Sequence, residues 1–574
     1  MAAFQSGDTI FADCTIIDGS GVTPRYVASV LVRDGIIKGI SRGAAYTTKR
    51  LEQAKQNGVK LVDCEAGKWC LSPGFIDMHA HSDLSLLGSG DPERKHEAKI
   101  SQGVTTEVIG QDGISYAPVD DAAMDRVKKQ IAGWNGLPSE KNFFNRWRTV
   151  KQYLDVLDSE KAATNAAFLV PQGNLRILTV GYKSREATKK EIDAMKAILR
   201  KSLEEGAVGM SSGLTYVPGS FATFNELAQL CEVVKEFDGY YSPHHRSYGK
   251  GAMDAYREMI DLAKQTGVRL HLTHATLNHA ENEGKADELL IVLDEALAAG
   301  CDISLDTYPY LPGSTTLASL LPNWASSAED KLALLKDPKQ LEKIKNHCLV
   351  TGSDGCMGCT LNWNIIEIGG VAKQSLAPKY VGKRLAQIAE ELGKDPFDTF
   401  IEILKEDDFS STIIQHAGHE SNVRKIMRHR VHTGGSDGIL TSTKPHPRGW
   451  GTFPRYLGHY GRDLARGKQR DIYIASGEDG HFEDAVAHLT SRPAAILKLK
   501  DRGLVQEGYC ADLVLFDPIV VRDAATFAKP KQPAKGIRFV MVNGVLAVNE
   551  GKTNASRSGR TIRLRKQGSE YVVK

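Results

Sequence analysis

The segment Gly74-Phe75-Ile76-Asp77-Met78-His79-Ala80-His81 sets two imidazoles two residues apart at the end of an apolar run. In a strand such residues share a face, so His79 and His81 can both reach one divalent transition metal. A metal with an open coordination position turns water into a nucleophile near neutral pH, which points to a metal-dependent hydrolase. The spacing alone fits equally a pair of strand-end histidines bonded to carboxylates, so the rest of the chain has to decide. Four more segments end an apolar run on a potential ligand: Val108-Ile109-Gly110-Gln111-Asp112-Gly113, Tyr241-Ser242-Pro243-His244-His245-Arg246, His271-Leu272-Thr273-His274 and His432-Thr433-Gly434-Gly435-Ser436-Asp437-Gly438. Singly, each reads as a turn, a satisfied histidine or loop chemistry. Together, at the ends of successive strands of one barrel, all five would meet at one mouth and form a metal site.

The elements that must position them alternate. Helical stretches at 191–204, 224–236, 252–265 and 287–299 are each followed by a short apolar run, at 207–210, 239–242, 269–273 and 302–305. Strict helix–strand alternation means parallel βα units. Polar and histidine-rich residues recur directly after the strands, which favours a (β/α)8 TIM barrel over a doubly wound sheet. The first sixty residues have a different texture, with β-type runs broken by Asp18-Gly19 and Asp34-Gly35, and the same texture returns at 511–517 and 539–546. The two chain ends are therefore expected to complete one small β-sandwich. The predicted organisation is residues 1–65 and 491–552 for the sandwich, 66–490 for the barrel, an insertion or lid at about 317–381, and a basic tail at 553–574.

The chain has 574 residues, 41% hydrophobic and 25% charged, enough for one large domain with smaller attachments. No apolar run has membrane-spanning length, and residues 1–8 lack a cationic segment followed by an apolar one. A cytoplasmic location and no membrane partner are expected. A net charge of +3, spread along the chain, gives no reason to expect nucleic acid. The cations of the tail, among them Arg557, Arg560 and Arg563, read as a solvated, partly disordered terminus. Nine cysteines without regular spacing read as reduced thiols, and Cys348 with Cys356-Met357-Gly358-Cys359 lacks the second half of a structural zinc site.

Ser72-Pro73-Gly74-Phe75-Ile76-Asp77 through His81-Ser82-Asp83, Gly103-Val104-Thr105-Thr106, Gly213-Leu214-Thr215-Tyr216-Val217-Pro218-Gly219, Asp306-Thr307-Tyr308-Pro309-Tyr310, Gly435-Ser436-Asp437-Gly438 and Pro445-His446-Pro447-Arg448-Gly449 carry a resemblance. They resemble the amidohydrolase superfamily and, within it, the D-aminoacylases, or N-acyl-D-amino-acid deacylases. The resemblance spans nearly the whole chain outside the insertion and tail. It implies a barrel beside a small β-sandwich, with zinc at the mouth, as one or two divalent ions. It also implies a small-molecule N-acylated substrate. By motif position His244 and His274 would be the principal ligands, His79 and His81 a second, weaker position, and Asp437 the general acid/base. A carboxylate there must deprotonate water and later protonate the departing nitrogen, since an amide nitrogen leaves poorly unless protonated.

Two departures stand out. Where that family carries a cysteine ligand in a Gly-Asn-Cys-Gly turn, this chain has Asp112 in Gly110-Gln111-Asp112-Gly113, a harder donor that tolerates other divalent metals. Where the family has a lysine that helps hold the substrate carboxylate, this chain has Thr276. Tyr216, Tyr308 and Ser314 stand in positions resembling the family's carboxylate contacts, and Arg246 or Arg448 would have to supply the missing charge. For Arg246 an ion pair that orients a ligand shell is the competing role. A cyclic amidase of the hydantoinase or dihydroorotase kind would need a bridging lysine that the strand at 207–213 lacks, and a metal-free scaffold would not keep every ligand-type position filled. The acyl group, the amino-acid side chain and the oligomeric state are not readable from the sequence.

Overall fold

A computed structural model describes residues 4–42, 48–89, 91, 93–464 and 482–574; residues 1–3 of the segment read for a leader lie outside them. Eight parallel strands form the barrel: Phe75–Asp77, Val104–Ile109, Asn165–Pro171, Gly209–Gly213, Tyr240–His244, Arg269–Leu272, Ile303–Thr307 and His432–Gly434. Each pairs with the next in chain order. The ring closes where the Met78 N–H donates to the Gly434 carbonyl at 3.3 Å and the Asp437 N–H to the His79 carbonyl at 2.8 Å. The second, third, fourth, fifth and seventh strands are buried at every residue, as parallel strands covered on both faces must be. The covering helices show why the sequence alternates. Lys189–Glu204 starts at a Thr188/Glu191 capping box and buries one stripe, Ile192, Met195, Leu199 and Leu203, against the sheet.

Both chain ends build a second domain, as a single nine-stranded mixed sheet. Its central contact joins Cys70–Pro73, from the N-terminal part, antiparallel to Leu513–Phe516, from the C-terminal part. Side chains alternate across it. Leu513, Leu515, Phe539 and Met541 share a core with Phe11, Val30 and Leu71, while Val514, Phe516, Val540 and Val542 pack against the barrel's Phe453 and Tyr456. The sheet curls far enough that the Phe11 and Phe539 rings meet at 6.4 Å. Sheet passes to barrel at Gly74, where a Cβ would collide with Thr105.

Three expectations are corrected. The insertion is longer than 317–381. It runs from strand Gly313–Thr316 to strand Thr412–Gln415, which is the centre of a separate three-stranded antiparallel sheet with Ile366–Gly370. Helices Leu385–Leu392 and Pro396–Glu406, which continue the helix–strand rhythm in sequence, cover this sheet through Ile388, Phe400 and Ile403 instead of the barrel. The tail is ordered. Thr561–Ile562 adds a short strand beside the third barrel strand, and Leu564–Gln567 pairs with Glu570–Val573 as a hairpin. Two of its cations bind protein: Arg563 pairs with Asp158 at 2.6 Å and Asp155 at 2.9 Å, and Arg557 donates to the Arg94 carbonyl at 2.8 Å, while Arg560, Arg565 and Lys566 are exposed. Finally, Cys14 and Cys64 are joined as a disulfide, because Thr9–Ile16 and Lys60–Asp63 lie side by side in the sheet and leave their Cα atoms 5.0 Å apart.

Among the described residues, no helix is long and apolar enough to cross a membrane.

Candidate metal centre

Every ligand-type residue singled out at a strand end lies at the same barrel mouth. His79 and His81 follow the first strand, Asp112 the second, His274 the sixth and Asp437 the eighth, while His244 ends the fifth. Two groups of donors result, His79/His81/Asp112/Asp437 and Asp112/His244/His274, each with its donor atoms within 4.8 Å of one another. Asp112 belongs to both. One of its oxygens lies 3.5 Å from His79 Nε2 and 3.5 Å from His274 Nε2, the other 3.5 Å from His81 Nε2 and 3.6 Å from His244 Nδ1. Three of the six, Asp112, His274 and Asp437, hold positive φ angles of 55°, 31° and 47°. Strained backbone of this kind persists only where the surrounding structure enforces it.

The donor set fits a metal. His79 Nδ1, His79 Nε2 and Asp112 Oδ1 are buried without a hydrogen-bond partner, a costly state for polar atoms that a cation would relieve. His244 Nδ1 and His274 Nε2 are 3.1 Å apart. Two nitrogens held by one tetrahedral zinc at about 2.0–2.1 Å stand about 3.3 Å from each other. The opposite ring atom of His244 bonds the Thr215 hydroxyl at 2.7 Å, which orients that imidazole from behind, and Asp306 accepts from the His274 backbone N–H at 2.9 Å, which fixes the chain there.

Charge is distributed unevenly. Burial disfavours the protonated form of His81, but hydrogen bonds to Asp112 and Asp437 outweigh it and raise its pKa to about 10. Burial lowers that of His244. Burial alone would raise the Asp437 carboxyl, yet the Arg448 guanidinium, ahead of His81, holds it below the usual range. One Asp437 oxygen is 3.2 Å from His81 Nε2 and the other 2.9 Å from Arg448 Nη2.

Arg448 is fully buried, with its guanidinium 4.4 Å from the Tyr308 ring centre and Nη2 donating to the Ser314 carbonyl at 3.3 Å. Its Nε and Nη1 have no partner. Tyr216, Tyr308, Ser314 and Arg448 line one cavity with His81, Asp112, His244, His274 and Asp437. Arg246 is not brought there. Its guanidinium pairs with Glu258 at 2.9 Å and donates to the Ser220 and Ala222 carbonyls, which takes up its hydrogen-bonding edge.

Sequence reasoning missed the support beneath the first and eighth strands. Lys99, fully buried on the short helix Glu97–Ile100, donates to Asp77 and to the Ser436 hydroxyl, both at 2.6 Å. The other Asp77 oxygen accepts from the Ser436 N–H at 2.8 Å and the His79 N–H at 3.2 Å, so one buried ion pair fixes the backbone beside both His79 and Asp437. It also missed Trp134 and Met357, which line the cavity from the short helix Ala132–Asn135 and from the insertion.

The sequence profile described as Amidohydrolase family matches residues 60–338 and 374–548. The chain is 32% identical over 563 residues to a D-aminoacylase of Alcaligenes xylosoxydans xylosoxydans, covering 97% of this chain and 98% of that one. It is similar to the crystal structure of N-acyl-D-glutamate deacylase from Bordetella bronchiseptica complexed with zinc and a phosphonate mimic of the tetrahedral intermediate, with a TM-score of 0.77 at 28% identity over 98% and 100% of the two chains. A D-aminoacylase structure described by its binuclear metal centre, with one-metal activation and second-metal attenuation, gives a TM-score of 0.75 at 31% identity over 97% and 99%. This chain belongs to the amidohydrolase family.

Proposed function

We propose that this protein is a zinc-dependent hydrolase that cleaves the linear amide of N-acyl-D-amino acids, releasing a D-amino acid and a carboxylate. The names of its relatives support the substrate class and the D preference. One observation carries the reading in this chain: Asp437 touches the donor cluster with one oxygen and Arg448 with the other. In an N-acyl amino acid the α-carboxylate sits one carbon from the leaving nitrogen. The group that protonates that nitrogen must therefore neighbour the group that holds the carboxylate.

His244, His274 and Asp112 would hold a first ion, and His79 and His81 with Asp112 a second. A bound zinc supplies a Lewis acid for the amide carbonyl and acidifies water. Asp437 takes the proton from the attacking water and returns it to the nitrogen as the C–N bond breaks. Arg448 offers Nε and Nη1 to the α-carboxylate, helped by the Tyr308 hydroxyl, and so replaces the charge absent at Thr276. With Arg448 so engaged, no other lysine or arginine among the residues lining the cavity remains for a second carboxylate, which favours an uncharged amino-acid side chain.

The test is release of free amine from N-acetyl and longer N-acyl D- and L-amino acids, beside simple amides and hydantoins. Hydrolysis of neutral N-acyl-D-amino acids is expected; turnover of L-forms alone, or of cyclic amides alone, would overturn the assignment.

A further inference from the structure

The space at the donor cluster is about 60 Å³, room for the reacting groups and little more. A second cavity of about 590 Å³ begins where Trp134, Thr215, Tyr216 and Ser319 line both. The neck between them is built. The Tyr216 hydroxyl lies 3.1 Å from Thr315 Oγ1, which donates to Ser319 Oγ at 3.4 Å, and the Tyr216 ring meets Trp134 edge-on at 5.0 Å and the His244 ring at 4.8 Å. The neck thus opens beside His244, whereas Arg448 stands beside Asp437.

From the neck a chain of contacts leads to charge. Gln130 donates to the Val217 carbonyl at 2.7 Å and accepts from the Tyr182 hydroxyl at 2.6 Å, and the Arg126 guanidinium lies 3.8 Å over the Tyr182 ring. Lys331, in the same cavity, has its ammonium 5.5 Å from the Phe409 ring centre. Arg126 and Lys331 have ring contacts but no carboxylate partner among the described residues. Burial, then the charge of Arg126, depresses the Lys331 pKa, and Asp408 opposes this less strongly. Of the other acids lining the cavity, Asp330 caps the Ala333 N–H at 2.8 Å and Glu329 is exposed.

We propose that this second cavity is the subsite for the distal end of the acyl group, and that the preferred acyl chain is aliphatic through the neck and ends in a carboxylate held by Arg126 and Lys331. The inference rests on the deacylase reading. In that reading the nitrogen half of the substrate belongs to Asp437 and Arg448, so the carbonyl half extends past His244, where the neck opens. Two neighbouring cations with no carboxylate in ion-pair contact among the described residues, approached through a neck lined by the Trp134 and Tyr216 rings and by hydroxyls, fit a dicarboxylic acyl chain better than a plain fatty one.

The experiment compares N-succinyl, N-glutaryl and N-adipoyl derivatives of one neutral D-amino acid with the N-butanoyl, N-pentanoyl and N-hexanoyl chains of matching length. For the best-fitting length kcat/KM is expected to be about tenfold higher with the terminal carboxylate, the worth of one partly exposed charged hydrogen bond. Lys331→Glu and, separately, Arg126→Ala should bring that ratio to one or below. Because the ratio is taken within one preparation, any loss of folded protein cancels. A ratio of one or less in the unaltered protein overturns the proposal while leaving the deacylase reading intact. Preference for N-acetyl-D-glutamate or N-acetyl-D-aspartate that Lys331→Glu removes would assign the cavity to the amino-acid side chain and overturn it equally. Absence of hydrolysis for every N-acyl-D-amino acid would remove both.

Discussion

The two halves of the donor cluster share Asp112 and little else. His79, His81 and Asp437 come from the first and eighth strands, where the barrel closes, and stand over the Lys99–Asp77 ion pair and in contact with Arg448. His244 and His274 come from the fifth and sixth strands and face aromatic rings, with Tyr248 5.0 Å from each. The charged half raises the proton affinity of His81; in the aromatic half burial lowers that of His244, while Asp112 outweighs burial and raises that of His274. An imidazole must be neutral to bind a metal, so His244 is the readier of these nitrogens to take one. On the proposed mechanism one half would hold an ion and the other would move a proton.

The sharpest way to break this division is Asp437→Asn. Loss of about ten-thousandfold in kcat is expected with metal content nearly unchanged, the upper range for removing an acid/base group. Retention of activity within tenfold would take Asp437 out of the role.

Next in size is an asymmetry between ligands. His244→Ala or His274→Ala should release the more tightly held ion and cost on the order of a thousandfold in turnover. His79→Ala should lose only a second equivalent and cost about tenfold or less. Metal analysis beside kinetics decides, and equal losses from both halves would erase the comparison.

Lys99→Met probes the support of the charged half. It leaves the Asp77 carboxylate buried and unpaired, which costs about 3–5 kcal/mol of stability, read by denaturant unfolding. A loss under about 1 kcal/mol would show that the closure does not depend on this pair.

The smallest expected effect concerns pH. Burial would raise the Glu107 carboxyl, but the charges of His96 and Lys99 and a hydrogen bond from Ser82 lower it from an ordinary 4.5 to about 2. The folded value lies below the unfolded one, so this stabilisation is present above about pH 4.5 and is lost as pH falls toward 2. It amounts to about 3 kcal/mol at neutral pH, and Glu107→Gln should flatten the stability profile in that window. An unchanged acid limb would place the acid sensitivity elsewhere.

What the sequence made legible follows a physical rule. His79 and His81 declare themselves because a strand repeats every two residues, and all five ligand segments because barrel strands end at one face. Lys99 gives no such signal, since its partners Asp77 and Ser436 are 22 and 337 residues away and only closure brings them together. The end of the insertion was hidden because 385–406 keeps the amphipathic period of a barrel helix, and periodicity reports that a face is buried without saying against what. Arg246 stands next to ligands in sequence but turns to Glu258. Arg557 and Arg563 look solvated until their carbonyl and carboxylate acceptors are seen.

The discontinuous sheet domain sets a schedule for synthesis. Strand Cys70–Pro73 meets its partner only when Leu513–Phe516 has been made, some 440 residues later. At about 5–20 residues per second that is a delay of roughly 20–90 s on the ribosome. During it, the nascent N-terminal strands hold the Phe11, Val30 and Leu71 face without the Leu515 and Phe539 side chains that cover it. The barrel, whose strands pair in the order they emerge, has no such wait until its eighth strand returns to the first. These N-terminal strands are thus sealed long after they are made, with their apolar face open to solvent in the interval.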